Sequence, residues 1–151
     1  MVKIQVRVSG GDRALSKLRR MRNTRSVGSV KAGILNKERY PDGTFVAHVA
    51  NENEFGNSRI PARPAFRQAA AEIAERVREE IINEIGGHKF GVDTITAERV
   101  GHAMLNITRR RIVELRRPPN AASTIRKKKS RNPLIDTRRL HDSLTFRIDE
   151  R

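Results

Sequence analysis

A chain of 151 residues, 36% hydrophobic and 32% charged, fits one domain spanning 1–151 that buries roughly 70% of its unfolded surface around a thin core. The absence of cysteine excludes disulfides, thiol nucleophiles and thiolate metal sites. The net charge of +15 favours nucleic acid, an anionic membrane or an acidic protein face as partner, without choosing among them.

In chain order, Val2, Ile4, Val6 and Val8 alternate with Lys3, Gln5 and Arg7, the period of a half-buried strand that Gly10-Gly11 ends. Asp12 then caps a short helix carrying Leu15, Leu18 and Met21. Val30, Ala32 and Ile34 alternate as a second strand, and the turn-rich stretch from Asn36 to Gly43 interrupts the pattern. Phe45, Val46, Val49 and Ala50 favour a short helix up to Phe55, with Gly56 just past its end.

The clearest element runs from Pro64 to Ile85. Phe66, Ala70, Ile73, Val77, Ile81 and Ile85 recur at spacings of three and four, which makes one helical stripe, and Gly86-Gly87 stops it. Its other face mixes Glu72, Glu75, Glu79, Glu80 and Glu84 with Arg67, Arg76 and Arg78. A second long helix starts after Asp93 or Thr94, turns Ile95, Val100, Met104 and Ile107 inward, and ends before Pro118-Pro119. From there residues 118–144 read as a basic extended arm, followed by a last strand from Leu144 to Ile148.

Charge is unevenly placed. Between Arg109 and Arg131 stand ten Lys or Arg (Arg109, Arg110, Arg111, Arg116, Arg117, Arg126, Lys127, Lys128, Lys129 and Arg131) against Glu114 alone, more than half of the net charge. Arg13, Lys17, Arg19, Arg20, Arg22 and Arg25 form a second cluster. Arg109, Arg110, Arg111, Arg126, Lys127, Lys128, Lys129 and Arg131 are candidates for contact with DNA or an acidic partner; a merely solvated face is the plainer reading of any single run. The sequence carries no zinc-finger spacing, RNP aromatics, KH loop or helix-turn-helix, so DNA binding here would be blind to sequence.

Catalytic and metal chemistry finds little support. His48, His88, His102 and His141 are scattered without ligand spacing. Gly28 to Gly33 has the outer glycines of a phosphate loop but not the Lys-Ser/Thr that must follow. Ser123-Thr124 has no base in reach by sequence, and there is no nucleophile elbow. The expectation is a non-enzyme with no cofactor, no metal site and no catalytic residue. No apolar run approaches the roughly 20 residues of a membrane span, and MVKIQVRVSGG lacks the apolar stretch of a signal peptide, so an intracellular protein away from membranes is expected.

Two blocks are more specific. The first, AHVANENEFGNSRIPARPAF from Ala47 to Phe66, joins a small-residue helix through Glu54-Phe55-Gly56 to Ile60-Pro61-Ala62-Arg63-Pro64. The second opens with Asn120-Ala121-Ala122-Ser123-Thr124-Ile125 and continues through Pro133-Leu134-Ile135-Asp136-Thr137 to Leu140–Leu144. In this order, with two long helices between them, the chain resembles the tail-completion (head–tail joining, minor tail component) proteins of long-tailed bacteriophages and prophages, over about residues 30–148.

That resemblance implies a structural role in virion morphogenesis, as a homo-oligomeric ring at the head-proximal end of the tail. The ring would contact tail-tube and connector or neck proteins, with DNA passing through its lumen, made in the host cytoplasm and ending in the virion tail or neck. Glu54, Phe55, Gly56, Ile60, Pro61, Arg63, Pro64, Pro133, Leu134, Ile135, Asp136 and Thr137 are the assembly candidates. The competing reading is a small basic DNA-binding protein without sequence preference. On physical grounds Pro61 and Pro64 stiffen the approach to the long helix, and Asp136 or Thr137 is placed to cap the turn that starts at Arg138. The family carries Gly after the Asp-Thr pair; Arg138 stands there in this chain and must adopt another conformation or bear strain. The fold expected is α+β: a small, mainly antiparallel sheet packed by two long helices, with a C-terminal arm.

Overall fold

The computed structural model describes residues 27–85 and 94–150, with the backbone alone for 27, 80–85, 94–96 and 150. The strand expected at Val2–Val8, the helix after Asp12, the Arg13–Arg25 cluster and the Gly86-Gly87 stop lie outside the described residues. In chain order the elements are β1 (Val27–Gly33), α1 (Val46–Phe55), α2 (Ala65–Ile85), α3 (Thr94–Glu114), α4 (Ala122–Lys128), α5 (Arg139–Asp142) and β2 (Thr145–Glu150). The described architecture is α+β, with a two-stranded antiparallel sheet packed against helices.

The sheet joins the two ends of the described chain. Val30 lies opposite Ile148 and Ala32 opposite Phe146, with an irregularity between Val27 and Ser29. The half-buried Val30, Ala32, Phe146 and Ile148 alternate with the exposed Lys31 and Arg147, as a one-sided sheet requires. Lys31 and Arg147 are like charges directly opposite each other, an arrangement that is unfavourable by itself. Asp149 offsets it by reaching Lys31 Nζ at 2.6 Å and Arg147 Nε at 2.8 Å. Those hydrogen bonds, that from Lys31 first, hold the Asp149 carboxyl below its ordinary range.

α3 lies between the sheet and α2, so more than one stripe of it is buried. Ala97, Val100, Leu105, Ile107 and Ile112 are buried, whereas the expected inward Met104 is only half-buried. Gly101 explains how closely β2 approaches: a Cβ there would fall 2.3 Å from the Phe146 ring. On α2 the tightest positions are Ala65 and Ala69, one residue before the expected Phe66 and Ala70. Small side chains let α2 approach α3 closely, while Phe66 is half-buried and Ala70 exposed along a groove on the flank of α2.

Residues 118–144 differ from the extended arm expected of them: 122–128 form α4 and 139–142 form α5. Pro119, with no N–H of its own, precedes α4 by three positions, and the short-range signal for a helix there is only ASTIRKK. The arm does not stand away from the domain. Leu134, Leu140 and Leu144 join Val46, Ala50, Ala65, Leu105, Ile112 and Leu115 in one core cluster, with Ile135 packed on it. Each buried leucine contributes about 2 kcal/mol, so the apolar anchors of the arm bind it to its own domain.

Candidate functional site

Glu54 is 5% exposed at the end of α1, and its carboxylate faces the start of α2. Oε2 accepts the Phe66 N–H and Oε1 the Arg67 N–H, both at 2.9 Å. The first N–H groups of a helix have no partner within it and carry its positive end, so a buried anion there acts as a cap supplied by another helix. Arg67 completes the pair: Nε donates to Glu54 Oε1 at 3.1 Å and Nη2 to the Glu54 carbonyl at 3.1 Å. The Arg67 guanidinium also lies 5.2 Å from the centre of the Phe55 ring, which is 61% exposed.

Gly56 turns the chain with φ 73° and ψ 174°, a combination open essentially to glycine alone. Asn57 shapes the loop that follows, its Oδ1 accepting from the N–H groups of Arg59 and Ile60. The chain then runs through Pro61 and Ala62, both exposed, into Arg63 and the half-buried Pro64. Arg63 is 5% exposed, and its N–H donates to the Asn53 carbonyl at 2.6 Å.

The Arg63 guanidinium is the centre of the arrangement. It donates from Nη1 to Asn53 Oδ1 at 3.1 Å, from Nε to the Pro118 carbonyl at 3.1 Å, and from Nη2 to the Pro119 carbonyl at 3.2 Å and Asn120 Oδ1 at 2.9 Å. A planar fork of five donors suits four acceptors set around it, and an ammonium would not. Burial shifts the Arg63 pKa downward from its ordinary value, yet arginine remains charged. The loop before α2 and the start of the arm, separate blocks in the sequence, are thereby one clasp.

A second clasp holds the far side of α4. Asn132 donates from Nδ2 to the Ile112 and Val113 carbonyls at the end of α3, at 3.1 and 2.8 Å. Its Oδ1 accepts the N–H groups of Leu134 and Ile135 at 2.8 and 2.9 Å. Pro133 and Leu134 are buried and Ile135 half-buried beneath it, whereas Asp136 and Thr137 are exposed.

Neither Asp136 nor Thr137 caps the following turn. The cap position of α5 is Arg138 itself, with φ 63° and no side-chain cap bond. Thr137 and Asp136 lie one and two residues before that position, so the expected cap does not form. Arg138 thus keeps the backbone shape that glycine would take.

The basic residues divide into two groups. Arg110 and Arg111 both bind Glu72 of α2, Arg111 through Nε at 3.0 Å and Nη2 at 2.8 Å. Arg109 donates to the Leu144 carbonyl at 3.1 Å. The half-buried Lys128 donates from Nζ to the Pro133 carbonyl at 3.2 Å, and desolvation lowers its pKa. The side chains of Arg126, Lys127, Lys129 and Arg131 are exposed and make no hydrogen bond or ion pair among the described residues.

Two hollows border these elements. One of about 420 Å³ is mostly apolar, between Ile34, Ala47, Ala50, Phe55, Phe66 and Ala70. The other, about 500 Å³, is lined by Ser123, Thr124, Lys127, Lys128 and Asp136. Lys128 is occupied by the Pro133 carbonyl, and neither hydroxyl is hydrogen-bonded to it. Among the described residues no group of three or more His, Asp or Glu is placed to hold a metal ion, and no helix is long and apolar enough to cross a membrane.

The residues that join the blocks include several without a recognised signal in the sequence. Asn53 and Glu72 gave none, because an Asn within a helix and a Glu on a charged face are ordinary. Asn132 had one: an Asn directly before Pro133 is a turn initiator whose side chain bonds to the backbone two and three residues on. Models of known protein families, curated proteins and solved structures yield no match to this chain.

Proposed function

We propose that this chain is a structural, non-enzymatic component of a phage or prophage virion, completing or joining the tail at its head-proximal end as part of an oligomeric ring. One observation supports this reading beyond the motifs themselves. Arg63 of the first motif block is buried against Pro118, Pro119 and Asn120 at the opening of the second. The blocks that carry the resemblance are therefore one structural unit, as expected if they were selected together.

A closed ring made by head-to-tail contact needs two unlike, complementary surfaces on each copy. The exposed Glu75 and Glu79 of α2 offer one such surface. Tail-tube and connector proteins would meet the ring at its two faces, and no cofactor enters this role.

Size exclusion with light scattering, followed by negative-stain images, tests the reading on the full chain alone and with tail-tube and connector proteins. Closed rings of uniform size are expected. A strict monomer at high concentration that binds neither protein overturns it.

A further inference from the structure

α4 is an unusual element to keep in a fixed place. It has seven residues and none of them is buried, so its own packing cannot hold it. It is held at both ends by polar clasps instead: Arg63 on Pro118, Pro119 and Asn120 before it, and Asn132 on the end of α3 after it. Lys129, at φ 52°, takes a left-handed conformation to turn the chain out of the helix. A buried arginine and a strained lysine are thus used to present a helix that adds nothing to the core.

What this helix presents is uniform in chemistry. Arg126, Lys127, Lys129 and Arg131 are exposed and unpaired among the described residues, and Ser123 and Thr124 are exposed beside them. Among the described residues the exposed large apolar side chains, Leu35, Phe45, Phe55 and Val113, all lie outside α4. A protein–protein contact centres on aromatic and aliphatic anchors and is depleted in lysine. An anionic membrane surface is held by a helix that also inserts an apolar face. Phosphate oxygens, by contrast, are bound by Arg, Lys, Ser and Thr without any apolar anchor.

We infer that α4 and the turn after it, through Arg126, Lys127, Lys129 and Arg131, form a contact for the phosphate backbone of duplex DNA that does not read sequence. The inference removes Arg109, Arg110 and Arg111 from that role, because their guanidiniums are occupied by Leu144 and Glu72. It does not rest on the ring; in a ring, the contact would recur once per copy. Because α4 is already fixed, binding would order only side chains, which lowers its entropic cost.

The test is fluorescence anisotropy of the full chain on short linear duplexes between roughly 50 and 200 mM salt, where each phosphate contact contributes about −0.9 to the log–log slope. Arg126, Lys127, Lys129 and Arg131 are changed together to Gln. A charge-matched control changes the exposed Lys37, Arg59, Arg76 and Arg78 to Gln. The α4 variant should lose about 3–4 from the slope, so that wild-type affinity falls about a hundredfold more than the variant's over this range. The control should keep most of the slope, and AT-rich and GC-rich duplexes should bind alike. Equal flattening in both variants, no wild-type binding at about 50 mM salt, or a wild-type slope in the α4 variant would each overturn the inference. Light scattering on the same samples reads oligomeric state separately, so loss of the ring and loss of DNA contact are distinguishable.

Discussion

Arg63 Nη2 donates to Asn120 Oδ1 at 2.9 Å across 57 positions of sequence, with the Pro118 and Pro119 carbonyls on the same guanidinium. Arg63→Ala leaves those part-buried acceptors without their donor and empties a buried site. The expected loss is on the order of 3 kcal/mol in urea denaturation, and Arg63→Lys should recover little of it, since one ammonium cannot reach four separated acceptors.

Gly56 adopts a backbone conformation closed to other residues, and its missing side chain is also needed for space. A Cβ there would lie 2.6 Å from the Ala62 amide nitrogen, which is backbone and cannot swing away. Gly56→Ala should therefore cost about 2–3 kcal/mol or more, combining dihedral strain with overpacking. The same denaturation experiment measures it, and a neutral result would mean that the loop relaxes.

Arg138 holds a left-handed conformation with an exposed side chain that makes no hydrogen bond, while its carbonyl accepts the Asp142 N–H at 2.9 Å. A non-glycine residue there is strained by about 1–2 kcal/mol, part of which glycine returns as lost chain entropy. Arg138→Gly should stabilise by about 0.5–1 kcal/mol, read as a melting point a few degrees higher. Arg138→Val, β-branched at positive φ, should shift it the other way.

Glu72 links α2 to α3 through Arg110 and Arg111. Desolvation pushes its pKa up, but the hydrogen bonds from Arg111 and Arg110 prevail and hold it below the ordinary 4.5. A carboxyl depressed on folding contributes stability above its unfolded value and loses it as pH falls through the folded one. Glu72→Gln should therefore melt below wild type at neutral pH, and the gap should close on acidification through and below about pH 4. A gap independent of pH would show that the carboxylate charge is not what matters.

Periodicity made the two long helices and β1 legible, because one-sided burial imposes its spacing on any sequence that adopts it. Gly56 and the Pro61–Pro64 approach were readable for a similar reason, as φ > 0 and fixed φ admit few residue types. The arm was misread as extended, since ASTIRKK has neither an apolar stripe nor a cap and is held by Arg63 and Asn132 from outside. The sequence ranked its cations by density, and the three adjacent arginines of α3 looked as exposed as those of α4. Only the tertiary placement of Glu72 and Leu144 separates them. The groove at Phe55 was equally invisible, because Phe66 and Ala70 read as core when their helix presents them half to solvent.

The ladder between β1 and β2 has a consequence for how the molecule comes together. Ser29 and Asp149 are 120 positions apart, and their side chains meet at 3.3 Å. Nearly all of the described chain is a loop closed by that pairing, and the entropy of closing a loop rises with its length. The helices must first gather the intervening residues before the two strands gain anything by meeting, so the seam should form late and open early. Amide exchange along β1 and β2 should therefore be faster than in the middle of α3, well before any change in helix content.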